Sequence, residues 1–164
     1  MTMIIYQNYA SPLGTITIAA ENGAIVALLL PGQTCPYLKN AVIGTTAELQ
    51  AAIIWLEDYF AGHAPAVNIP LAPRGTAFQQ SVWQLLRQIP YRQSTTYGAL
   101  AKKLGQKMSA QAVGQAVGKN PISIMIPCHR VLGAGGTLTG YAGGLDKKIT
   151  LLNLEGIVYK ESTP

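Results

Sequence analysis

A chain of 164 residues that is 49% hydrophobic and 12% charged can bury the core of one ordinary domain or two small ones, and its low charge argues against disorder. Two cysteines do not make a disulfide framework, and a reducing compartment suits them better than secretion. There is no basic segment followed by an apolar run at the start, and the longest apolar stretch, residues 24–30, is too short to span a bilayer, so we expect a soluble cytoplasmic protein.

The net charge of +5 is distributed unevenly along the chain. Residues 1–73 carry one base and four acids, a net charge of −3, whereas residues 74–164 carry eleven bases and three acids, a net charge of +8. Between Asp58 and Asp146 there are eight Lys or Arg residues and no acidic residue. Because each neutralised phosphate releases counterions, this distribution favours a nucleic-acid partner over a basic surface that serves only solubility.

The first sixty residues predict strands followed by a helix. Residues 4–9 and 15–20 are short β-prone runs joined by a Ser-Pro-Leu-Gly turn, and an Asn-Gly turn signal leads into the run 24–30. Residues 47–60 carry apolar side chains at three- and four-residue spacing, which predicts a helix that ends before Gly62.

A proline-rich segment separates the two halves of the chain. Residues 64–73 contain three prolines, which neither a helix nor a central strand tolerates. We interpret residues 63–74 as a linker between an N-terminal α/β domain, residues 1–62, and a mainly helical C-terminal domain, residues 75–164. The predicted fold class is α/β, of the α+β kind.

The second half predicts short helices. Residues 76–89 predict a helix that begins at an N-cap threonine and ends before Pro90. Residues 97–104 predict a second helix, and Ser109 is the predicted N-cap of a third that runs to about Gly118. Two short helices separated by a glycine-containing turn are typical of a helix-turn-helix, which presents its second helix to DNA.

The outward face of that last helix is built from small and uncharged residues. Helical spacing predicts that Ala110, Val113 and Val117 point inward. Such a slim outer face suits the minor groove or a close approach to a backbone better than major-groove reading. The alternative is a plain amphipathic helix that tolerates two glycines at about 1 kcal/mol each. The predicted outward residues are Gln111, Gly114, Gln115 and Gly118.

The residues around Cys128 suggest nucleophilic chemistry. An apolar, β-branched run ends in Pro-Cys-His-Arg-Val at residues 127–131. A thiol is a useful nucleophile only as a thiolate, so reactive cysteines lie near a base or a positive charge. Here His129 and Arg130 follow directly, although a lone cysteine is more often a small buried hydrophobe.

Other cysteine chemistry has less support in the sequence. The histidine partner of a cysteine protease lies far away in the chain, so the adjacent pair is weak evidence for that class. Cys35 and His63 are isolated, and Cys128 with His129 lacks the usual zinc-ligand spacing. We therefore expect no metal site.

Four ordered blocks resemble the O6-alkylguanine-DNA alkyltransferases, also called methylated-DNA–protein-cysteine methyltransferases. Residues 127–131 match the active-site signature of that family without change. Gly-Lys-Asn-Pro-Ile at 118–122 resembles its asparagine–proline segment, and Tyr-Ala-Gly-Gly-Leu at 141–145 resembles its downstream loop. Leu-Leu-Asn-Leu-Glu-Gly at 151–156 is similar to its closing helix. The resemblance covers about residues 76–156, and the strand-rich first half is compatible with the variable N-terminal domain of the family.

The resemblance implies a single-use repair protein that flips O6-alkylguanine out of duplex DNA, with O4-alkylthymine as a second candidate substrate. Cys128 would attack the alkyl carbon in line and displace guanine. His129 would accept the thiol proton through a water, and Glu155 would orient the imidazole and stabilise its positive charge. Asn120 would brace the turn that carries the cysteine. Tyr97 would assist flipping and donate a hydrogen bond to the leaving base.

The resemblance also implies which residues hold the base and the DNA. The Val131 carbonyl and the Ala142 backbone N–H would read the guanine edge, Tyr141 would wall the pocket, and Gly143 would permit a close backbone approach. No cofactor is implied, and the partner would be damaged double-stranded DNA bound by a monomer. The implied DNA contacts are Ser109, Gln111, Gln115 and Arg130.

Position 111 departs from the family pattern. Family members usually carry arginine there, which fills the hole left by the flipped base, whereas this chain has Gln111. Glutamine is shorter and uncharged, yet its amide can hydrogen-bond to the orphaned cytosine. The departure concerns the strength of flipping and of DNA affinity, and not the identity of the reaction.

Two other functions remain as alternatives. An alkyltransferase-like sensor would bind alkylated guanine and recruit other factors, but such proteins lack the active-site cysteine that this chain keeps. A transcription factor would use the helix-turn-helix, but the slim outer face and the lack of a dimerisation or effector module argue against it.

Overall fold

The computed structural model describes residues 2–105 and 109–161. The chain divides into two compact units. The first comprises Met1–Arg74 with Pro121–Met125, and the second comprises Gly75–Asn120 with Ile126–Pro164. No helix within the described ranges is long and apolar enough to cross a membrane.

Within the described residues, the first unit contains a four-stranded sheet and one long helix. The strands are β1 (Ile5–Ser11), β2 (Gly14–Glu21), β3 (Ala24–Leu29) and β4 (Val42–Ile43), and the helix is α1 (Ala47–Phe60). The strand order is β3-β2-β1-β4, in which β1, β2 and β3 are antiparallel neighbours and β4 runs parallel to β1. Helix α1 packs against β1 and β2. The three predicted strands and the predicted helix are confirmed.

The alternation of apolar residues along β2 and their helical spacing along α1 together explain the core of this unit. Ile16 and Ile18 alternate along β2 and are fully buried. On α1, Leu49 and Leu56 are buried as the apolar spacing predicts, and Tyr59 is buried where the spacing predicted Phe60, which is half-buried. Burying each of these side chains stabilises the fold by about 1.5–3 kcal/mol.

The proline-rich segment pairs with the edge of the sheet. β3 is one of the two edge strands, so no strand of the sheet pairs with the N–H and C=O groups on its outer side. The Ile25 N–H donates to the Pro70 carbonyl at 2.8 Å, and the Ala72 N–H donates to the Ile25 carbonyl at 2.8 Å. Part of the predicted linker, residues 63–74, is thus attached to the first unit.

A second distant segment pairs with the same strand. The Leu28 N–H donates to the Pro121 carbonyl at 2.9 Å, and the Ser123 N–H donates to the Leu28 carbonyl at 3.0 Å. Ser123 Oγ also bonds to Gln33 Oε1 at 3.1 Å. The sequence predicts that all of residues 75–164 belong to one C-terminal domain, but these backbone bonds bring residues 121–125 into the first unit.

The described part of the second unit contains four α-helices and a short parallel strand pair. In chain order these are α2 (Ala77–Leu86), β5 (Thr95–Thr96), α3 (Tyr97–Leu104), α4 (Ala110–Gly118), β6 (Val131–Leu132) and α5 (Leu145–Glu155). Helices α2, α3 and α4 pack on one another, and β5 pairs with β6. A capping box at Thr76 begins α2, and the hydroxyl of Ser109 caps α4, so the two predicted N-caps are confirmed.

The buried face of α4 differs by one position from the expected one. Val113 and Val117 are buried as predicted, but Ala116 replaces Ala110, which begins the helix and is exposed. The Trp83 indole N–H donates to the Ala116 carbonyl at 2.8 Å, which fixes α2 against this face. Gln111, Gln115 and Gly118 are exposed as expected, whereas Gly114 is half-buried.

Candidate active site

Cys128 opens a 3₁₀ turn, Cys128–Arg130, and its side chain is buried. The thiol Sγ lies 3.5 Å from the Tyr141 hydroxyl. The Asn120 amide donates to the Ile126 carbonyl at 2.8 Å, just before the turn, and the Cys128 N–H donates to the same carbonyl at 2.7 Å. Asn120 therefore lies where the resemblance predicts a brace for the cysteine turn.

The surroundings of Cys128 keep it a thiol at rest. Burial raises the pKa of the Cys128 thiol, because a buried thiolate loses its hydration. Hydrogen bonds from Tyr141 and Asn120 and the positive charge of Lys148 lower that pKa in part. A base that removes the thiol proton during reaction is therefore required.

His129 follows the cysteine and is fully buried. Its Nε2 lies 2.5 Å from Glu155 Oε2. An ionised carboxylate only accepts hydrogen bonds, so Nε2 carries the imidazole proton and Nδ1 carries the lone pair. Among the described residues, no group bonds to this buried Nδ1. The geometry therefore presents the basic nitrogen of a neutral histidine, one residue from the thiol.

Burial also keeps His129 neutral at rest. Loss of hydration lowers the pKa of His129, and the nearby charges of Arg130 and Lys148 lower it further, while Glu155 opposes them. A neutral imidazole can accept a proton, and Glu155 then stabilises the imidazolium that forms. This is the arrangement of a nucleophile, a base and a group that orients the base.

Glu155 is the last residue of α5 and is fully enclosed. Burial raises its pKa, but the hydrogen bonds that it accepts from His129 and Arg130, together with the positive charge of Arg130, outweigh burial and lower the pKa to about 2. The carboxylate is thus ionised at neutral pH, as its role toward His129 requires.

Arg130 does not fit its assigned role as a DNA contact. Its Nε donates to Glu155 Oε1 at 2.7 Å, and its Nη1 donates to the Ile89 carbonyl at 2.6 Å. Its guanidinium also lies over the Tyr91 ring, 5.7 Å from the centroid, and only 9% of the residue is exposed. The prediction for Arg130 is corrected: a guanidinium engaged by a buried carboxylate fixes Glu155 and does not face solvent.

Lys148 is a site residue that the sequence analysis missed. Its side chain is buried, and its Nζ donates to the Val131 carbonyl at 2.7 Å. Burial lowers the pKa of Lys148 to about 8. Helical spacing carried a signal, since Lys148, Leu151 and Glu155 lie on the buried face of α5. A lysine at an apolar position of a helix is uncommon and points to a function or a buried partner.

Tyr97 begins α3 and lies within the same unit as the cysteine. Burial raises the pKa of the Tyr97 phenol, and its hydroxyl lies 3.2 Å from Thr139 Oγ1. A Cβ added at Gly114 of α4 would lie 3.6 Å from the Tyr97 ring. The half-buried glycine therefore packs beside this tyrosine.

The predicted base-binding residues lie between β6 and the start of α5. Tyr141 is half-buried beside the thiol, Gly143 is buried and Ala142 is exposed. The Gly144 N–H donates to the Tyr141 carbonyl at 3.0 Å, and Gly144 has φ of 104°, which favours glycine. Val131 is buried, and one lone pair of its carbonyl is engaged by Lys148.

The remaining predicted DNA contacts lie on α4. Gln111 and Gln115 are exposed, and so is Ser109. The Ser109 hydroxyl accepts from the Ala112 N–H at 3.0 Å, so its first role is to cap the helix. The N-terminal turn of α4 thus presents uncharged side chains and backbone to solvent.

Neither a metal cluster nor a second thiol accompanies Cys128 in the described part of the chain. No group of three or more His, Cys, Asp or Glu side chains gathers there in a way that could hold a metal. Cys35, the other free cysteine, is half-buried in the first unit and packs against the cluster around Val26 and Leu29. Cys128 is the thiol that lies beside a buried base.

Known proteins match both halves of the chain. The family model described as 6-O-methylguanine DNA methyltransferase, DNA binding domain, matches residues 77–157. The model described as 6-O-methylguanine DNA methyltransferase, ribonuclease-like domain, matches residues 4–73. Together the two models span most of the described chain.

Relatives and solved structures agree with these models. A methylated-DNA–protein-cysteine methyltransferase of Methanosarcina acetivorans is 43% identical over 92% of this chain and 97% of the relative. One of Haemophilus influenzae is 44% identical over 97% of this chain and 90% of the relative. The structure of Mycobacterium tuberculosis OGT in complex with DNA has a TM-score of 0.85 at 41% identity and covers 92% of both chains. The chain therefore belongs to the family of 6-O-methylguanine DNA methyltransferases, the methylated-DNA–protein-cysteine methyltransferases.

Proposed function

We propose that this protein removes the alkyl group from O6-alkylguanine in duplex DNA and keeps it on Cys128, once per molecule. Its family places it among the methyltransferases of direct-reversal DNA repair. The observation that carries the assignment to Cys128 is the neighbouring His129, whose Nε2 is bound to Glu155 and whose buried Nδ1 is free to take a proton.

The reaction balances with the residues at hand. The thiol proton passes through a water to His129 Nδ1, and Glu155 stabilises the imidazolium. The Cys128 Sγ–carbon bond forms as the bond between that carbon and O6 of guanine breaks, and the electron pair stays on the base. The anionic base then takes up one proton from water, and His129 returns its proton to water. Tyr97 donates a hydrogen bond to the departing base, which stabilises the charge that develops there. The product is a thioether, which does not release its carbon, so one molecule acts once.

The target must leave the stack to reach a buried thiol. We propose that the Val131 carbonyl and the Ala142 N–H hydrogen-bond to the edge of the guanine. Tyr141 would form one wall of the pocket, and Gly143 would let the backbone approach the base closely. These assignments are supported by the hydrogen bond between Tyr141 and the thiol and by the short turn from Tyr141 to Gly144.

We assign the DNA surface to the N-terminal turn of α4. The exposed Gln111, Gln115 and Ser109 would lie along the minor groove, and Gln111 would fill the place of the flipped base. Support comes from the slim outer face of α4 and from the net charge of +8 over residues 74–164. The relative from M. tuberculosis is itself recorded in complex with DNA.

The proposal also specifies the damaged base, the oligomeric state and the cellular location. We infer that the damaged base is O6-alkylguanine, with O4-alkylthymine as a second candidate, and that the protein acts as a monomer in the cytoplasm. A sensor that binds damage without transfer is not favoured, because the cysteine is present and lies beside a buried base.

Intact mass after incubation with duplex DNA that contains O6-methylguanine tests the proposal. We expect the protein to gain the mass of one methyl group and the DNA to regain guanine. The matched control is Cys128→Ser, which should gain nothing. Tight binding to the methylated duplex with unchanged protein mass would instead identify a sensor.

A further inference from the structure

Thr139 joins two groups of the active site that lie far apart in the sequence. Its Oγ1 lies 3.2 Å from Lys148 Nζ and 3.2 Å from the Tyr97 hydroxyl. Lys148 is buried and also donates to the Val131 carbonyl at 2.7 Å. Thr139 is thus a bridge between a buried cation and the phenol that faces the leaving base in the proposed reaction.

The chemistry of Lys148, Thr139 and Tyr97 determines which group donates in each hydrogen bond of this bridge. An ammonium only donates, so Thr139 Oγ1 accepts from Lys148. The threonine hydroxyl keeps one hydrogen, and the oxygen of Tyr97 lies within reach as its acceptor. When Thr139 donates to Tyr97, the phenol hydrogen is free to point to a third group. Hydrogen bonds in such a chain polarise one another, so the chain strengthens Tyr97 as a donor.

The two ends of this bridge, Tyr97 and Lys148, lie within electrostatic reach of the reacting sulfur of Cys128, whose negative charge would raise the pKa of each of them. The hydrogen bond from Thr139 acts in the opposite sense and lowers the pKa of Tyr97. A better donor at this place helps the step in which the base departs as an anion.

We propose that Thr139 is a positioning residue for alkyl transfer, which connects Lys148 to Tyr97 and turns the Tyr97 hydroxyl toward the departing base. The inference rests on the proposed role of Tyr97 and adds a residue that no sequence motif marks. Thr139 itself touches neither the base nor the alkyl carbon in this account.

The test compares Thr139→Val, which keeps the shape without the hydroxyl, with Thr139→Ser, which keeps the hydroxyl. The rate of benzyl transfer to Cys128 is followed by mass with free O6-benzylguanine, which needs no flipping. We expect Thr139→Val to be slower than the parent by about tenfold or more, a fraction of a typical acid–base contribution of roughly 10²–10⁴-fold. Thr139→Ser should react within about twofold of the parent, because it restores the donor.

A second leaving group separates donor strength from general damage to the site. In O6-benzyl-8-azaguanine an additional ring nitrogen stabilises the negative charge of the departing base, so it depends less on a hydrogen bond. The rate deficit of Thr139→Val should therefore be smaller with this base. Lys148→Met, with Thr139 intact, should show the same pattern.

Three results would overturn the inference: no deficit in Thr139→Val, a deficit of the same size in Thr139→Ser, or equal deficits with both bases. If thermal melting shows that Thr139→Val does not fold, Thr139→Ala replaces it in the same comparison. If the parent protein accepts no benzyl group on Cys128, the three proteins are compared with duplex DNA that contains O6-methylguanine. Failure of the parent with both substrates would count against the proposed function and not against Thr139 alone.

Discussion

At the scale of single residues, the partner of His129 decides what its ring can do. Glu155 accepts from Nε2 and so leaves the lone pair on Nδ1, which is the nitrogen able to take the thiol proton. Arg130 occupies the other oxygen of the same carboxylate, which fixes the carboxylate in place and keeps it ionised. We therefore expect these residues to serve proton handling and not DNA contact.

Replacing His129, the proposed general base, or Glu155, which orients it, should slow alkyl transfer far more than it weakens DNA binding. We expect His129→Ala and Glu155→Gln to reduce the transfer rate by about 10²–10⁴-fold, since that is the usual contribution of a general base. Rates are measured by single-turnover mass analysis with methylated duplex, and affinities by titration of the same duplex. A variant that reacts with free O6-alkylguanine as fast as the parent would show that the relay is misassigned.

Removing the buried charge of Arg130 should change stability and not the salt dependence of DNA binding. Arg130→Met leaves one oxygen of Glu155 without its partner, so we expect the free energy of unfolding to fall by about 3–5 kcal/mol. The slope of log affinity against log salt should stay that of the parent, because no phosphate contact is lost. A slope shallower by about one unit with unchanged stability would return Arg130 to the DNA surface.

At the scale of elements, the caps and the spacing of apolar residues account for most of what could be predicted. Thr76 and Ser109 mark helix starts by local hydrogen bonds, so a window of a few residues contains the whole signal. The face of α4 was predicted less well. Ala116 is buried and Ala110, the first residue of the helix, is exposed. The side of α4 that is covered depends on contacts with another helix, such as the bond from Trp83 of α2 to the Ala116 carbonyl.

The N-terminal turn of α4 supplies a prediction at this scale. An arginine at position 111 would fill more of the stack and add one cation near phosphate. We expect Gln111→Arg to bind duplex DNA more tightly, with a salt slope steeper by about one unit, and to repair duplex faster. Affinity is titrated at several salt concentrations.

The free base is the internal control for this variant, since it needs no flipping. Its reaction rate should be the same in Gln111→Arg and in the parent. Equal duplex affinity and equal duplex rate in both proteins would show that position 111 does not fill the place of the flipped base.

At the scale of the whole molecule, pairings between distant segments were beyond the sequence. Residues 70–72 and 121–125 bond to the outer edge of β3, and no local pattern announces a partner that far away. The pairing of Arg130 with Glu155 could not be predicted for the same reason, so the sequence did not show that Arg130 is engaged inside the protein. The motifs around Cys128 needed no such information, because the nucleophile and its base are adjacent in the chain.

The burial of Glu155 couples the stability of the molecule to pH. Its pKa falls from an ordinary value of 4.5 to about 2 on folding, so its ionised form stabilises the folded state fully above pH 4.5, and this stabilisation is lost as the pH falls toward 2. The difference corresponds to about 3 kcal/mol. The free energy of unfolding is measured with denaturant from about pH 5 to about pH 2.5. It should fall more steeply with decreasing pH in the parent than in Glu155→Gln. Parallel pH profiles would contradict a depressed pKa at this residue.

We propose Cys128 itself as the final acceptor of the alkyl group. Peptide mapping by mass spectrometry after reaction with excess duplex that contains O6-methylguanine, together with a count of the guanines repaired per protein, tests this proposal. We expect one methyl group, on the peptide that contains Cys128, and one repaired guanine per protein molecule. A methyl group on Cys35, or repair well beyond one equivalent, would contradict the proposed role of Cys128.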